Sequence, residues 1–189
     1  KDLWAARLTL EAHITDDLFF RLGWDKTEDS SNSKGGYRLL PSILTDAPVP
    51  DSVYDSYTSL PTWNKVELEG YSWLLRYDMS DNLELKYIGS HREGYSPTNI
   101  DFDNTALDIF DLSAIFEDEN DTHELQANYL GDNFTLVSGV YYYDGESCGQ
   151  FDAVLGFLGR AAFGTPGLTR EVSGCNNSES VAVYGQLNY

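Results

Sequence analysis

The sequence predicts an all-β chain: an antiparallel, up-and-down segment of a transmembrane β-barrel with about seven or eight strands, short periplasmic turns at one end and long extracellular loops at the other. Three observations predict it. A short Asp/Asn turn recurs three times, the runs flanking each turn alternate apolar and polar side chains, and the connections at the opposite ends are long.

The turns are Thr15-Asp16-Asp17-Leu18, Ser80-Asp81-Asn82-Leu83 and Gly131-Asp132-Asn133-Phe134. Asp and Asn suit such corners because their side chains bond nearby backbone and tolerate left-handed angles. The first strand places Ala6, Leu8, Leu10 and Ala12 on one face and Arg7, Thr9, Glu11 and His13 on the other; the second opposes Phe20, Leu22 and Trp24 to Phe19, Arg21, Gly23 and Asp25. The third opposes Tyr71, Trp73, Leu75 and Tyr77 to Ser72, Leu74, Arg76 and Asp78, and the fourth Leu83, Leu85 and Tyr87 to Glu84, Lys86, Ile88, Ser90 and Arg92. In the fifth, Leu125, Ala127 and Tyr129 oppose Glu124, Gln126 and Asn128. Residues 134–143 are apolar or aromatic on both faces, so the phase of the sixth stays open. The last run opposes Val181, Val183, Leu187 and Tyr189 to Ala182, Tyr184, Gln186 and Asn188. Alternation over such lengths is the signature of strands with two unlike faces.

The long connections fall roughly at 27–63, 94–120 and 146–179, far beyond the ~12–15 residues that compact domains tolerate without structure. Their segregation to one edge is the asymmetry of outer-membrane barrels. An eighth strand, a loop helix or a hairpin is the alternative reading of 101–116. A barrel must close in lipid, and single-chain bacterial barrels use even strand numbers. Residues 1–189 therefore read as one partial barrel domain, its ends cut within a longer protein and a plug domain absent. A soluble extracellular β-sandwich or barrel that binds carbohydrate, or a plugless passive barrel, fits the same alternation.

Composition limits the partners. The formal net charge of −19, from 31 acidic against 12 basic residues, disfavours nucleic acid. No apolar run reaches the 18 residues of a membrane helix, which leaves strand crossings open. Cys148 and Cys175 sit in a Gly-, Ser- and Asn-rich stretch and suggest a disulfide formed in an oxidising compartment. No catalytic constellation, cofactor motif or phosphate loop is present, and His13, His91 and His123 fall in no metal-ligand spacing. The acidic stretch Asp101, Asp103, Asp108, Asp111, Glu117, Asp118, Glu119 and Asp121 offers hard oxygen ligands without the spacing of a calcium loop; solvated loop charge is its simpler account. Ligand contacts are expected from the loop aromatics Tyr37, Tyr54, Tyr57, Trp63 and Tyr95 and from Arg21, Arg76, Lys86 and Arg92 facing the lumen. The same residues also serve as loop packing and as polar filling of a wet interior.

The phrases Lys1-Asp2-Leu3-Trp4-Ala5-Ala6-Arg7-Leu8, Thr15-Asp16-Asp17-Leu18, Arg76-Tyr77-Asp78-Met79-Ser80-Asp81-Asn82-Leu83-Glu84-Leu85-Lys86 and Tyr141-Tyr142-Tyr143-Asp144-Gly145-Glu146 resemble the barrel of TonB-dependent outer-membrane receptors of the iron-complex type. The resemblance lies in their order and spacing and extends over essentially the whole chain. It implies a plugged barrel of about 22 strands that takes up scarce ligands such as ferric siderophores, haem or cobalamin. It implies as partners outer-membrane lipid, the plug, a TonB-type energy-coupling protein and the small ligand. The chain departs from the family in carrying neither plug nor coupling motif and in its far lower strand count. Alone it would supply wall and extracellular loops rather than coupled transport.

Overall fold

The computed structural model describes residues 2–32, 36–43, 45–61, 63–165 and 167–189. They form one antiparallel sheet in the order β1-β2-β3-β4-β5-β6-β7, with β1 Leu3–His13, β2 Leu18–Asp29, β3 Val66–Ser80, β4 Leu83–Asp101, β5 Asp111–Leu130, β6 Thr135–Leu155 and β7 Leu168–Asn188. One short helix, α1 Phe157–Phe163, lies between β6 and β7. Every strand pairs with its sequence neighbour, the least costly connectivity for a meander. Among the described residues nothing pairs β1 with β7, so the sheet is open.

The three Asp/Asn turns lie at one end. The Ile14 amide donates to the Leu18 carbonyl at 2.8 Å and the Gly131 amide to the Phe134 carbonyl at 2.8 Å. Neighbouring turns are tied together: the Asn82 side-chain amide and its backbone carbonyl both bond Leu130, at 2.8 and 2.9 Å.

At the other end the structure corrects the expected loops. Only 30–65 is a long connection. Most of 94–120 is strand, closed by a turn at 102–110, and most of 146–179 is strand, interrupted by α1. No eighth strand lies in 101–116; Asp101 pairs with Asp111 and the two continue β4 and β5. The reason is physical. Alternation marks a strand whose faces meet different solvents, and from Glu117 to Asp121 both faces are polar, so the pattern that reveals a strand is erased. Strands of 19 to 21 residues are about twice the ~9–11 needed to cross a bilayer. These four strands, β4 to β7, are therefore longer than a bilayer crossing needs.

The register decides which side chains share a face. One rung across all seven strands reads Leu10, Leu22, Trp73, Gly89, His123, Tyr142, Val181. The next toward the turns reads Ala12, Phe20, Leu75, Tyr87, Leu125, Val140, Val183. All the apolar sets expected from sequence fall on this single face. The register also settles β6: Leu136, Val140 and Tyr142 join the apolar face, while Val137, Tyr141 and Tyr143 join the polar one.

Nothing among the described residues covers the apolar face. Leu125 is 58% exposed and Val183 78%, whereas the buried hydrophobic residues among those described, Ile109 and Ala114, lie outside the band near the β4–β5 turn. The band also crosses the rungs obliquely. On β1 it runs from Trp4 to Ala12, on β7 from Val181 to Leu187, and these stretches are offset by about two to three rungs. Strands tilted against a flat slab produce such an offset. A sandwich needs a second sheet to bury this face, and the described residues form one sheet only.

Candidate functional site

Two surfaces carry the chemistry. The first is the polar face. Near the short turns, Glu84 accepts from Lys86 (2.7 Å) and from the Asn128 amide (2.9 Å), with the Arg76 guanidinium 3.8 Å away. Asn128 also donates to Gln126 (3.2 Å), Gln126 donates to the Tyr184 hydroxyl (3.2 Å), and Tyr184 donates to Glu124. The chain of polar contacts thus spans β3 to β7. Higher up, Arg92 on β4 forms an ion pair with Asp25 on β2 at 2.9 Å, reaching across β3. Gly70 stands between them in the register, and a Cβ there would meet the Arg92 guanidinium at 3.0 Å. A glycine at this position is what lets the guanidinium lie flat on the middle strand. Ser90 and Thr122 share a hydrogen bond of 2.7 Å nearby.

Arg21, Arg76, Lys86 and Arg92 all stand on this polar face, as the alternation implies. The aromatics do not join them. Tyr95 lies in β4 rather than in a loop, and on the opposite face, beside Glu67 and Glu117. Tyr37 donates to the Pro50 carbonyl at 3.3 Å within the 30–65 connection, Tyr54 is almost fully exposed, and Tyr57 and Trp63 are exposed as well. Five aromatics and four cations therefore do not converge on one pocket. Cys148 and Cys175 are joined by a disulfide, and they sit opposite one another on β6 and β7 rather than in a loop.

The second surface is the rim where the apolar face turns charged. Trp24 and Tyr71 both donate to Glu69, at 2.8 and 2.9 Å, and Lys26 lies 3.3 Å from the same carboxylate. Trp4 donates to Glu28 at 2.9 Å, and the Tyr87 hydroxyl meets His123 Nδ1 at 2.9 Å. Aromatic rings with a polar tip suit a boundary between hydrocarbon and water.

The 102–110 turn is a third, smaller feature. Asp101 accepts from the amides of Asp103 and Asn104, and Asp103 from those of Thr105 and Phe110. Asn104 takes a positive φ of 50°, which asparagine tolerates. Asp111 is buried and accepts from the Ser59 hydroxyl at 3.0 Å, pinning the long connection to the strand ends. Burial pushes the Asp111 carboxyl above the usual aspartate range; the Ser59 hydrogen bond opposes the rise, and repulsion from Asp101, Asp103 and Asp108 adds to it. A raised acid pKa means the folded state prefers the protonated form. This junction is accordingly tightest below the ordinary aspartate range and weakens as pH rises through the raised value. Asp111→Asn should remove the part of that dependence that Asp111 supplies: amide exchange across 102–110, corrected for intrinsic exchange, should become slower than in the unaltered protein at neutral pH, while the carboxylates of Asp101 and Asp103 that cap the turn still respond to acid.

No protein-family model and no curated protein matches the sequence. Among solved structures the chain is similar to the ferric yersiniabactin uptake receptor FyuA from Yersinia pestis, with a TM-score of 0.45 and 12% identity over 98% of this chain and 34% of that receptor. The chain thus spans about a third of the length of that receptor, and a likeness at this level carries no argument about what the chain does.

Proposed function

We propose that this chain is part of the wall of a barrel in the bacterial outer membrane, and that the barrel is a TonB-dependent receptor taking up a scarce ligand such as a ferric siderophore. The observation that carries the membrane reading is the exposed apolar band, seven strands wide and oblique to the rungs. Water would penalise that surface heavily at roughly 25 cal/mol per Å², and lipid would not. The polar face is then the lumen wall, where Arg21, Arg76, Lys86 and Arg92 face a plug or an anionic ligand. The 30–65 connection and the strand extensions stand outside the cell, with Tyr37, Tyr54, Tyr57 and Trp63 as ligand contacts.

The sheet edges set a condition on closure. β1 and β7 run in the same direction, because an odd number of antiparallel strands separates up from down unequally. An even, antiparallel barrel is sealed only by an odd number of further strands. A second copy of this sheet, rotated about the membrane normal, would meet it edge to edge in parallel.

The transport reading rests on the resemblance of the strand–turn phrases together with this wall. Its test is uptake of radiolabelled ferric siderophores by cells whose complete receptor carries these strands, with and without the energy-coupling protein. Uptake that saturates and vanishes without the coupling protein supports the reading. Uptake that is linear in concentration and indifferent to coupling would make the wall that of a passive barrel.

A further inference from the structure

We propose that His91, Glu93 and Glu119 bind a divalent transition-metal ion on the outward face of the wall, just beyond the aromatic rim, with Asp121 as the positioning residue. The register creates the set. His91 and Glu93 lie two apart on β4 and so share a face; their partners on β5 are Asp121 and Glu119. One ligand atom from each of His91, Glu93 and Glu119 falls within 4.8 Å of the others, close enough for one ion to bridge them.

The imidazole separates this set from the other carboxylates of the rim. Asp121 Oδ1 stands 3.0 Å from His91 Nδ1. With Nδ1–H donated there, a metal ion that displaces the Nε2 proton now shared with Glu93, 3.1 Å away, would find the Nε2 lone pair on the same side as that carboxylate. A carboxylate holding the far nitrogen of a ligating histidine is the recurrent outer shell of protein metal sites, where it fixes tautomer and orientation. Among the described residues neither Glu93 nor Glu119 pairs with a lysine or an arginine. Glu69, Glu93, Glu119 and Glu146 form one rung across β3 to β6, and like charges directly opposite one another on adjacent strands repel. Glu69 has Lys26, Trp24 and Tyr71 as partners. Glu119 has no ion pair among the described residues. One nitrogen with two carboxylates suits zinc, manganese or ferrous iron, whereas calcium and magnesium favour all-oxygen sites. The geometry follows from strand register, so the site stands or falls independently of the transport reading.

The test uses the complete membrane protein in detergent, stripped with chelator and titrated with Zn²⁺ by calorimetry and with Co²⁺ by visible absorption. Expected is one ion per chain. His91→Ala and Glu119→Gln should each weaken binding at least about tenfold, and Asp121→Asn by about 10–100-fold. Glu179→Gln, on the same face but outside the set, should bind as the unaltered protein does. Heat-modifiable gel mobility, unchanged in each variant, shows that the barrel has formed. Zn²⁺ binding weaker than about 100 µM, full binding by His91→Ala, or displacement by equimolar Ca²⁺ would each overturn the proposal, the last by showing a merely acidic surface.

Discussion

Leu75→Arg, or Leu85→Arg, should lower the stability of the refolded protein in lipid by about 2–4 kcal/mol if the residue lies near the bilayer midplane. Leu75 sits in the rung Phe20, Leu75, Tyr87, Leu125, and Leu85 in the next rung toward the turns, beside Tyr77 and Ala127. Both rungs are apolar along β2 to β5, so an arginine there reaches neither water nor a carboxylate without distorting the bilayer. The contrast lies one residue away. Arg76→Ser and Lys86→Ser change the other face, where Arg76 and Lys86 meet Glu84 in a wet, half-exposed setting. Exposed ion pairs contribute about 0–1 kcal/mol, so these variants should be mild. Urea-dependent refolding into vesicles measures all four. Equal costs on the two faces would remove the distinction on which the membrane reading stands.

Breaking the disulfide should have the second large effect. Cys148 and Cys175 are 27 residues apart, and closing a loop of that size restricts the unfolded chain by about 3–4 kcal/mol in the chain-entropy model. Its position matters as much as its energy. It staples β7 to β6 where both have left the apolar band, at the rung of Glu117 and Tyr95, and β7 has β6 as its one partner among the described residues. A Cys148→Ala/Cys175→Ala protein should refold with a lower urea midpoint. Amide exchange should rise over residues 168–177 and change little over 181–188, where the apolar band holds the strand. Uniform loosening along the whole of β7 would show that the staple supports the spanning part too.

How much of this was legible in the sequence depends on where water lies. The turn at Asp81-Asn82 and the alternation from Leu83 to Arg92 are plain because one face of β4 is mostly apolar there and the other mostly polar. Beyond His91 both faces are polar, and the strand continues unseen to Asp101. The same loss hid β5 from Glu117 to Asp121, made Tyr95 look like a loop residue and gave the cysteines the appearance of loop partners; from Leu112 to Phe116 apolar residues fall on both faces and the period is mixed. In β6, Val137 and Tyr141 are as apolar as Leu136 and Tyr142, so only pairing with β5 separates the faces. That Arg21, Arg76, Lys86 and Arg92 share the polar face was legible from phase alone. The His91 set was not, since His91 and Glu93 on β4 meet Glu119 on β5 only across the strand pair, 28 and 26 residues away along the chain.

The central claim is that one face of this sheet meets lipid and the other water. Spin labels placed singly at 71 through 78 on β3, in the refolded membrane protein, report it directly through collision with oxygen, which concentrates in hydrocarbon, and with a water-soluble nickel chelate. The account predicts a period of two: oxygen-accessible at 71, 73, 75 and 77, chelate-accessible at 72, 74, 76 and 78. Labels at the odd positions that collide with neither reagent, as in a packed protein core, would contradict it.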